Sequence, residues 1–145
     1  MAWIRKSHRS EQGFTLIELV IIIAVLGIIA AVAIPKYVDM IGEARESACK
    51  GALGGLRSAI SIYYANTALQ NNSATWPPID SVRTIGVVMA QAIPPNPYQS
   101  SSNAPDSVVT GVTKGTIVGT RGGWAYRAAT GEIWPNTNTV GENNW

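Results

Sequence analysis

Histidine, cysteine and phenylalanine occur once each in these 145 residues, and charged side chains make up only 14% of the chain. Each shortage removes a class of function. The single histidine, His8, stands ahead of the longest apolar run, so no His-based metal site or histidine general base is available to the rest of the chain. A lone Cys49 forms no intrachain disulfide. On a helix it shares a face with Leu53, Leu56 and Ile60, and it reads as a small buried apolar residue. We find no nucleophile beside a base, no phosphate-cradling glycine loop and no carboxylate pair at a recognisable spacing, so the reading is non-enzymatic, with no catalytic residues, cofactor or metal. Of the 11 basic and 9 acidic residues, Arg5, Lys6, Arg9 and Glu11 precede residue 13, which leaves 8 of each sign after it. A neutral body carries no broad basic patch, and no nucleic-acid partner is expected for it.

What the chain does have is apolar surface, 46% of its residues, and much of it is in one place. Residues 14–34 read FTLIELVIIIAVLGIIAAVAI, a run of 21 broken by one charge, Glu18. As a helix it extends about 31 Å, enough for the hydrocarbon core of a bilayer. The basic flank ahead of it holds that end in the cytoplasm and sends the remainder across.

After Pro35 the pattern becomes amphipathic, and the spacing predicts a helix over residues 36–68. Val38, Cys49, Leu53, Leu56, Ile60, Tyr63 and Tyr64 fall on one stripe. Ala44, Ser47, Gly51, Gly54, Ser58, Ser61 and Ala65 make the opposite face small. Gly51, Gly54 and Gly55 each cost about 1 kcal/mol against alanine in a helix interior, so a break there is the alternative. Residues 70–78 read as loop. Asp80 is placed to cap a second helix through Val82, Ile85, Met89 and Ile93, ended by Pro94 and Pro95. Residues 96–106 are again loop. From about 107 to 134, β-prone pieces around Val108, Thr116 to Val118, residues 123–128 and residues 132–134 alternate with turn residues, which predicts a three- or four-stranded antiparallel sheet. Trp124 and Tyr126 give one strand an aromatic face suited to a core. Trp76, Trp134 and Trp145 read as surface contacts. The fold class is α+β: a long amino-terminal helix, transmembrane in its first half and amphipathic in its second, packed on a small carboxy-terminal sheet.

Gly13, Phe14, Thr15, Leu16, Ile17, Glu18 and Leu19, behind a short basic leader and ahead of an apolar run that ends in Ala33, Ile34 and Pro35, resemble the processing signature of type IV pilins and the related pseudopilins of type II secretion. Three features coincide at fixed offsets: a glycine before the cut, an acid fifth in the mature chain and a proline twenty-second. The resemblance implies a leader (1–13), a membrane and filament-core helix (14–35) and an exported globular domain (36–145). It further implies cleavage between Gly13 and Phe14 by a prepilin peptidase, N-methylation of Phe14, and residence in the bacterial inner membrane until an assembly platform there adds the subunit to a helical homopolymer. The partners are thus the peptidase, the platform, the lipid bilayer and other copies of the chain, and the destination is an extracellular pilus or a periplasmic pseudopilus. Glu18, Gly27, Pro35 and Gly51 are the candidate assembly residues. Gly27 and Pro35 bracket the segment where a helix in the assembled state loosens most easily.

Two departures separate the members of that group. Many type IV pilins close their carboxy-terminal region with a disulfide, which one cysteine cannot form. Major pseudopilins resemble one another in an aspartate-rich calcium loop, whereas Asp106, Glu132 and Glu142 are the carboxylates in the last forty residues here. The balance favours a pilus subunit over a pseudopilin, with a minor or tip pilin acting in adhesion or DNA uptake as a further alternative. An ordinary secretory signal, cut at the Ala31, Val32, Ala33 motif, is opposed by Glu18, which burdens a segment whose only task is insertion. The two readings separate on the mature terminus. Mass spectrometry is expected to find it at a singly methylated Phe14, and Gly13→Leu to remain uncut in the membrane, because a side chain obstructs close approach to the backbone; a terminus at Ile34 selects the secretory signal.

Overall fold

The computed structural model describes residues 13–145, and the basic leader residues Arg5, Lys6, His8, Arg9 and Glu11 lie outside that range. The elements are, in order, helix α1 (Leu16–Asn71), the short helix α2 (Ile79–Arg83), and strands β1 (Val108–Thr110), β2 (Trp124–Arg127) and β3 (Glu132–Pro135), with single 3-10 turns at Ser101–Asn103 and Glu142–Asn144. The chain divides into two compact units, one ending at Met40 and one running from Ile41 to Trp145.

In the first unit α1 is apolar on every side from Leu19 to Ile34. Ile21, Leu26, Ile29, Val32 and Ile34 are exposed together. A window of α1 near the amino terminus reaches a mean hydropathy of 3.1, long and apolar enough to cross a membrane, with none of it buried inside the chain. Pro35 sits within the helix; having no N–H, it leaves the carbonyl four residues earlier without its helical donor.

In the second unit α1 continues unbroken through Gly51, Gly54 and Gly55. Tertiary packing outweighs the local cost of the glycines: Cys49, Leu53, Leu56 and Ile60 are all buried and form one core with Val82, Val108, Trp124, Tyr126 and Ile133. The predicted stripe holds over that length. Val38 departs from it and is 63% exposed, because the core begins only at Cys49.

The sheet has the order β1-β2-β3 and is mixed, not antiparallel. β1 pairs parallel to β2, with Val108 opposite Trp124, whereas β2 and β3 are antiparallel, with Tyr126 opposite Ile133. The parallel pair follows from the connection: residues 111–123 are as long as the roughly dozen residues a crossover requires, too long for a tight hairpin. Within that connection Thr116, Ile117 and Val118 form no strand. Instead the segment covers the second face of the sheet. Alternation along β2 and β3 turns Trp124, Tyr126 and Ile133 to the α1 core and Trp134 to the other side. There Trp134 is fully buried, with its indole N–H donated to the Thr116 carbonyl at 2.9 Å. Trp134 is therefore a core residue and not a surface contact. Trp76 likewise packs against the core, its ring stacked on Tyr64 with centroids 4.0 Å apart, and Trp145 lies part-buried under Lys50 Nζ at 4.7 Å.

The second helix is shorter than its apolar spacing predicts. Pro78 is its N-cap, Asp80 lies in the first turn, and Thr84 is already extended. Gly86, at φ +88°, then turns the chain so that its N–H reaches the Met89 carbonyl at 2.7 Å. A β-branched run and a left-handed glycine prevail over the helical period. Ile93 and Met89 still reach the core, and Ile85 does not.

Between the elements, three buried polar side chains organise loops that have no ladder of their own. Asn96 donates to the Gly123 carbonyl (2.8 Å) and the Thr137 hydroxyl (3.0 Å) and accepts from Tyr98 N–H (2.9 Å). Asn136 accepts from Val118 N–H at 2.7 Å and donates to the Val118, Arg121 and Gly122 carbonyls. Glu142, fully buried, accepts from Thr139 N–H (2.9 Å) and Val140 N–H (2.8 Å). Burial pushes its carboxyl up, but these bonds, with the Thr137 hydroxyl and its own N–H, outweigh it and hold the group below the usual carboxylate range.

A group depressed on folding stabilises the fold above its unfolded value, near 4.5, and that contribution is lost as pH falls through the folded value. Thermal midpoints of the detergent-solubilised chain between pH 7 and pH 3 are expected to fall, with a shallower slope and a lower starting point for Glu142→Gln. Gly131 offers a second check. It adopts φ +72°, and a Cβ there runs into the Trp76 ring. Gly131→Ala is expected to cost about 2 to 4 kcal/mol, from the left-handed penalty and the overpacking together; an unchanged midpoint refutes that packing.

Candidate functional site

The candidate residues begin where α1 begins. Gly13 and Phe14 precede the helix outside any regular element, with Phe14 84% exposed and open space around the position a Gly13 Cβ would take. Thr15 then caps the helix. Its hydroxyl oxygen accepts from Glu18 N–H at 3.3 Å, while Glu18 Oε2 accepts from Thr15 N–H at 2.8 Å and from the Thr15 hydroxyl at 2.9 Å. This reciprocal pair is a capping box, in which two donors that a helix start leaves orphaned are satisfied by one another's residues. Such a cap contributes about 1 kcal/mol. Glu18 Oε1 has no protein partner among the described residues.

Sequence reasoning singled out Glu18 for its charge and passed over Thr15. The signal was present: Thr-x-x-Glu immediately before an apolar run is the sequence form of this cap. It follows that Glu18 has a local task before any partner is considered.

Along the helix, Gly27 has open space on its Cβ side, and Gly51 and Gly54 are alike. Around Gly51, Ala44, Ser47, Ser58, Ser61 and Ala65 are all exposed, so the small face meets nothing within its own unit. The structure joins Thr15 and Glu18 by local geometry, with Phe14 exposed beside them in the chain. It strings Gly27, Pro35 and Gly51 along one helix without gathering them into a pocket.

Other chemistries can be tested on the same geometry. Cys49 Sγ is 3.8 Å from Asn96 Oδ1 in a fully buried setting. Burial, then the negative charge of Glu142, pushes the thiol up to about 11 and keeps it protonated, which is the condition of a packing cysteine and not of a nucleophile. The late carboxylates do not converge: Asp106 is exposed, Glu132 is held by the Thr130 hydroxyl at 2.7 Å and faces Arg127 at 3.6 Å, and Glu142 is turned into its own loop. Among the described residues no three His, Cys, Asp or Glu side chains are grouped to hold a metal.

Comparison with known proteins agrees with this amino-terminal architecture. Residues 8–34 match the model of the prokaryotic N-terminal methylation motif. The chain is 45% identical over 56 residues to the fimbrial protein EcpC of Eikenella corrodens, covering 39% of this chain and 37% of that one. It is 46% identical over 66 residues to the type IV major pilin protein PilE1 of Neisseria gonorrhoeae, covering 44% and 31%. With a fimbrial protein of Moraxella nonliquefaciens it shares 48% over 52 residues, covering 36% and 34%. The chain thus spans about a third of the length of the curated relatives it matches. No solved structure matches it. In its amino-terminal part, then, the chain carries the prokaryotic N-terminal methylation motif and is similar to type IV pilins and fimbrial proteins.

Proposed function

We propose that this chain is a structural subunit of a type IV pilus-like filament, cut after Gly13, methylated on Phe14, and assembled from the bacterial inner membrane. The observation that carries the reading is the first part of α1, apolar on all sides, unburied within the chain, and carrying one carboxylate at its start. Such a cylinder requires lipid before assembly and other copies of itself afterwards. The relatives, named as fimbrial proteins and major pilins, support the same reading. A pilus subunit is favoured over a pseudopilin because the late carboxylates do not gather as a calcium loop would require.

Within this reading Glu18 sets the register. A carboxylate in a spanning helix costs about 2.5 to 3.5 kcal/mol at the centre and less near the end. The Thr15 cap offsets part of that, and Oε1 remains for a cation. Cleavage creates one, the amine of Phe14, which stays positive when methylated. Pairing with the amine of an incoming subunit admits one axial offset, since any other leaves two charges unpaired in an apolar medium. The small face around Gly51 lets neighbouring helices approach closely. Loosening between Gly27 and Pro35, which are helical in the single chain, belongs to the assembled state.

Expressed as the sole copy, Glu18→Ala is expected to be cut normally and to remain in the membrane, yet to give few or no sheared filaments. Glu18→Gln should fail nearly as badly, having kept the size and lost the charge. Thr15→Val separates the cap from the register: it loses the hydroxyl and keeps the carboxylate, so filament yield is expected to fall much less. If Thr15→Val fails as completely as Glu18→Ala, or if Glu18→Ala assembles in wild-type amount, Glu18 is a helix cap and not a register device.

A further inference from the structure

One cleft of about 370 Å³ in the second unit draws none of its lining residues from α1. Its walls come from the loops around residues 98–103, 117–120 and 136–139, and its lining holds neither acidic nor basic side chains. Tyr98, Gln99, Asn103, Thr120, Asn138 and Thr139 carry its chemistry.

These side chains divide into two sets. One set is already engaged and rigid: Gln99 Nε2 donates to the Gly122 carbonyl at 3.0 Å and Gln99 Oε1 accepts from Ser100 N–H at 3.2 Å and from Asn103 Nδ2 at 3.4 Å, while Asn136 and Thr137 beneath them are spent on the loop bonds described above. That set builds a fixed floor. The other set forms the rim: the side chains of Thr120, Asn138 and Thr139 and the Tyr98 hydroxyl have no hydrogen-bond partner among the described residues. Tyr98 is half-buried and braced edge-on against Trp145, with ring centroids 6.3 Å apart, which fixes an aromatic surface at one end.

The chemistry of this lining selects its ligand. An anion finds no basic side chain, a cation finds no carboxylate, and an apolar molecule finds little beyond Ile117 and the Tyr98 ring. Uncharged amides and hydroxyls with free donors and acceptors, beside one aromatic surface on a preorganised floor, match a molecule that is neutral, rich in hydroxyls and apolar along its C–H edges. The volume lies within the roughly 300–1,000 Å³ of small-molecule clefts. We infer that this cleft binds one or two residues of a neutral saccharide, with Thr120, Asn138 and Thr139 hydrogen-bonding its hydroxyls and Tyr98 supporting its ring. The inference stands apart from filament assembly, because it uses no residue of α1.

Saturation-transfer NMR on the detergent-solubilised full chain tests it, with a panel of neutral hexose and N-acetylhexosamine oligosaccharides beside their sialylated and sulfated counterparts. Neutral sugars are expected to bind, and the acidic forms about tenfold more weakly or not at all, having no cation to meet. Thr120→Val and Asn138→Leu alter exposed side chains without partners, so the thermal midpoint should stay put while binding weakens about five- to tenfold in each. Absence of saturation transfer from every neutral sugar at millimolar concentration overturns the inference. So does tighter binding of the acidic forms, or undiminished binding by the double variant.

Discussion

The fold depends on a helix that its own chain buries along one stripe of one part only. From Cys49 to Ile60 the stripe is covered by the sheet and by the segment after α2, and hydrophobic burial there is ordinary core formation. From Leu16 to Ile41 no side chain is covered to the extent of a core residue. A single element therefore carries two patterns, uniformly apolar in its first part and striped in its second. Uniform apolarity serves where lipid or other helices surround the cylinder, and a stripe serves where a sheet covers one side. The small residues opposite that stripe complete the division, because they leave a surface that costs little to hydrate and can still be approached closely.

Magnitudes decide how Glu18 is to be understood. A capping box contributes about 1 kcal/mol, and a carboxylate carried into a bilayer costs more than that unless it sits close to the interface. The cap accordingly explains why a helix begins at Leu16 and why the acid stands three residues after Thr15. It does not by itself balance a buried charge. The remaining imbalance is the ground for the pairing proposed above, since a charge fully satisfied within its own chain has nothing left to discriminate with.

The helix and its membrane-like half were legible because periodicity and apolar length are long-range averages that single residues do not upset. Cys49, Leu53, Leu56 and Ile60 were found by spacing alone, and the glycines between them did not matter once a sheet lay against the stripe. The pieces that were misread are those where one local event outranks the average. α2 stops at Arg83, with Thr84 extended and Gly86 turning the chain after it, although Met89 and Ile93 continue its period, and the length of the segment 111–123 turns an expected hairpin into a parallel crossover. Trp134 was read from its proline neighbour when its fate depended on a loop folding over the second face of the sheet. Asn96, Asn136 and Glu142 left no periodic trace at all, since a polar side chain in a loop looks the same in sequence whether it faces water or replaces a missing ladder. Thr15 differs from these, because its spacing to Glu18 was available and its significance lay in the cap.

The buried amides also determine how this domain tolerates being taken apart. Asn96 and Asn136 tie together the segments around residues 105, 118, 123 and 137, with Glu142 gathering the turn beyond them, and every one of those links is a hydrogen bond. A fold closed in that way needs no oxidant to mature and has no cross-links to exchange wrongly, and its one thiol is buried and protonated. Opening these loops breaks hydrogen bonds and nothing covalent, so unfolding leaves no covalent trace on the links that close them.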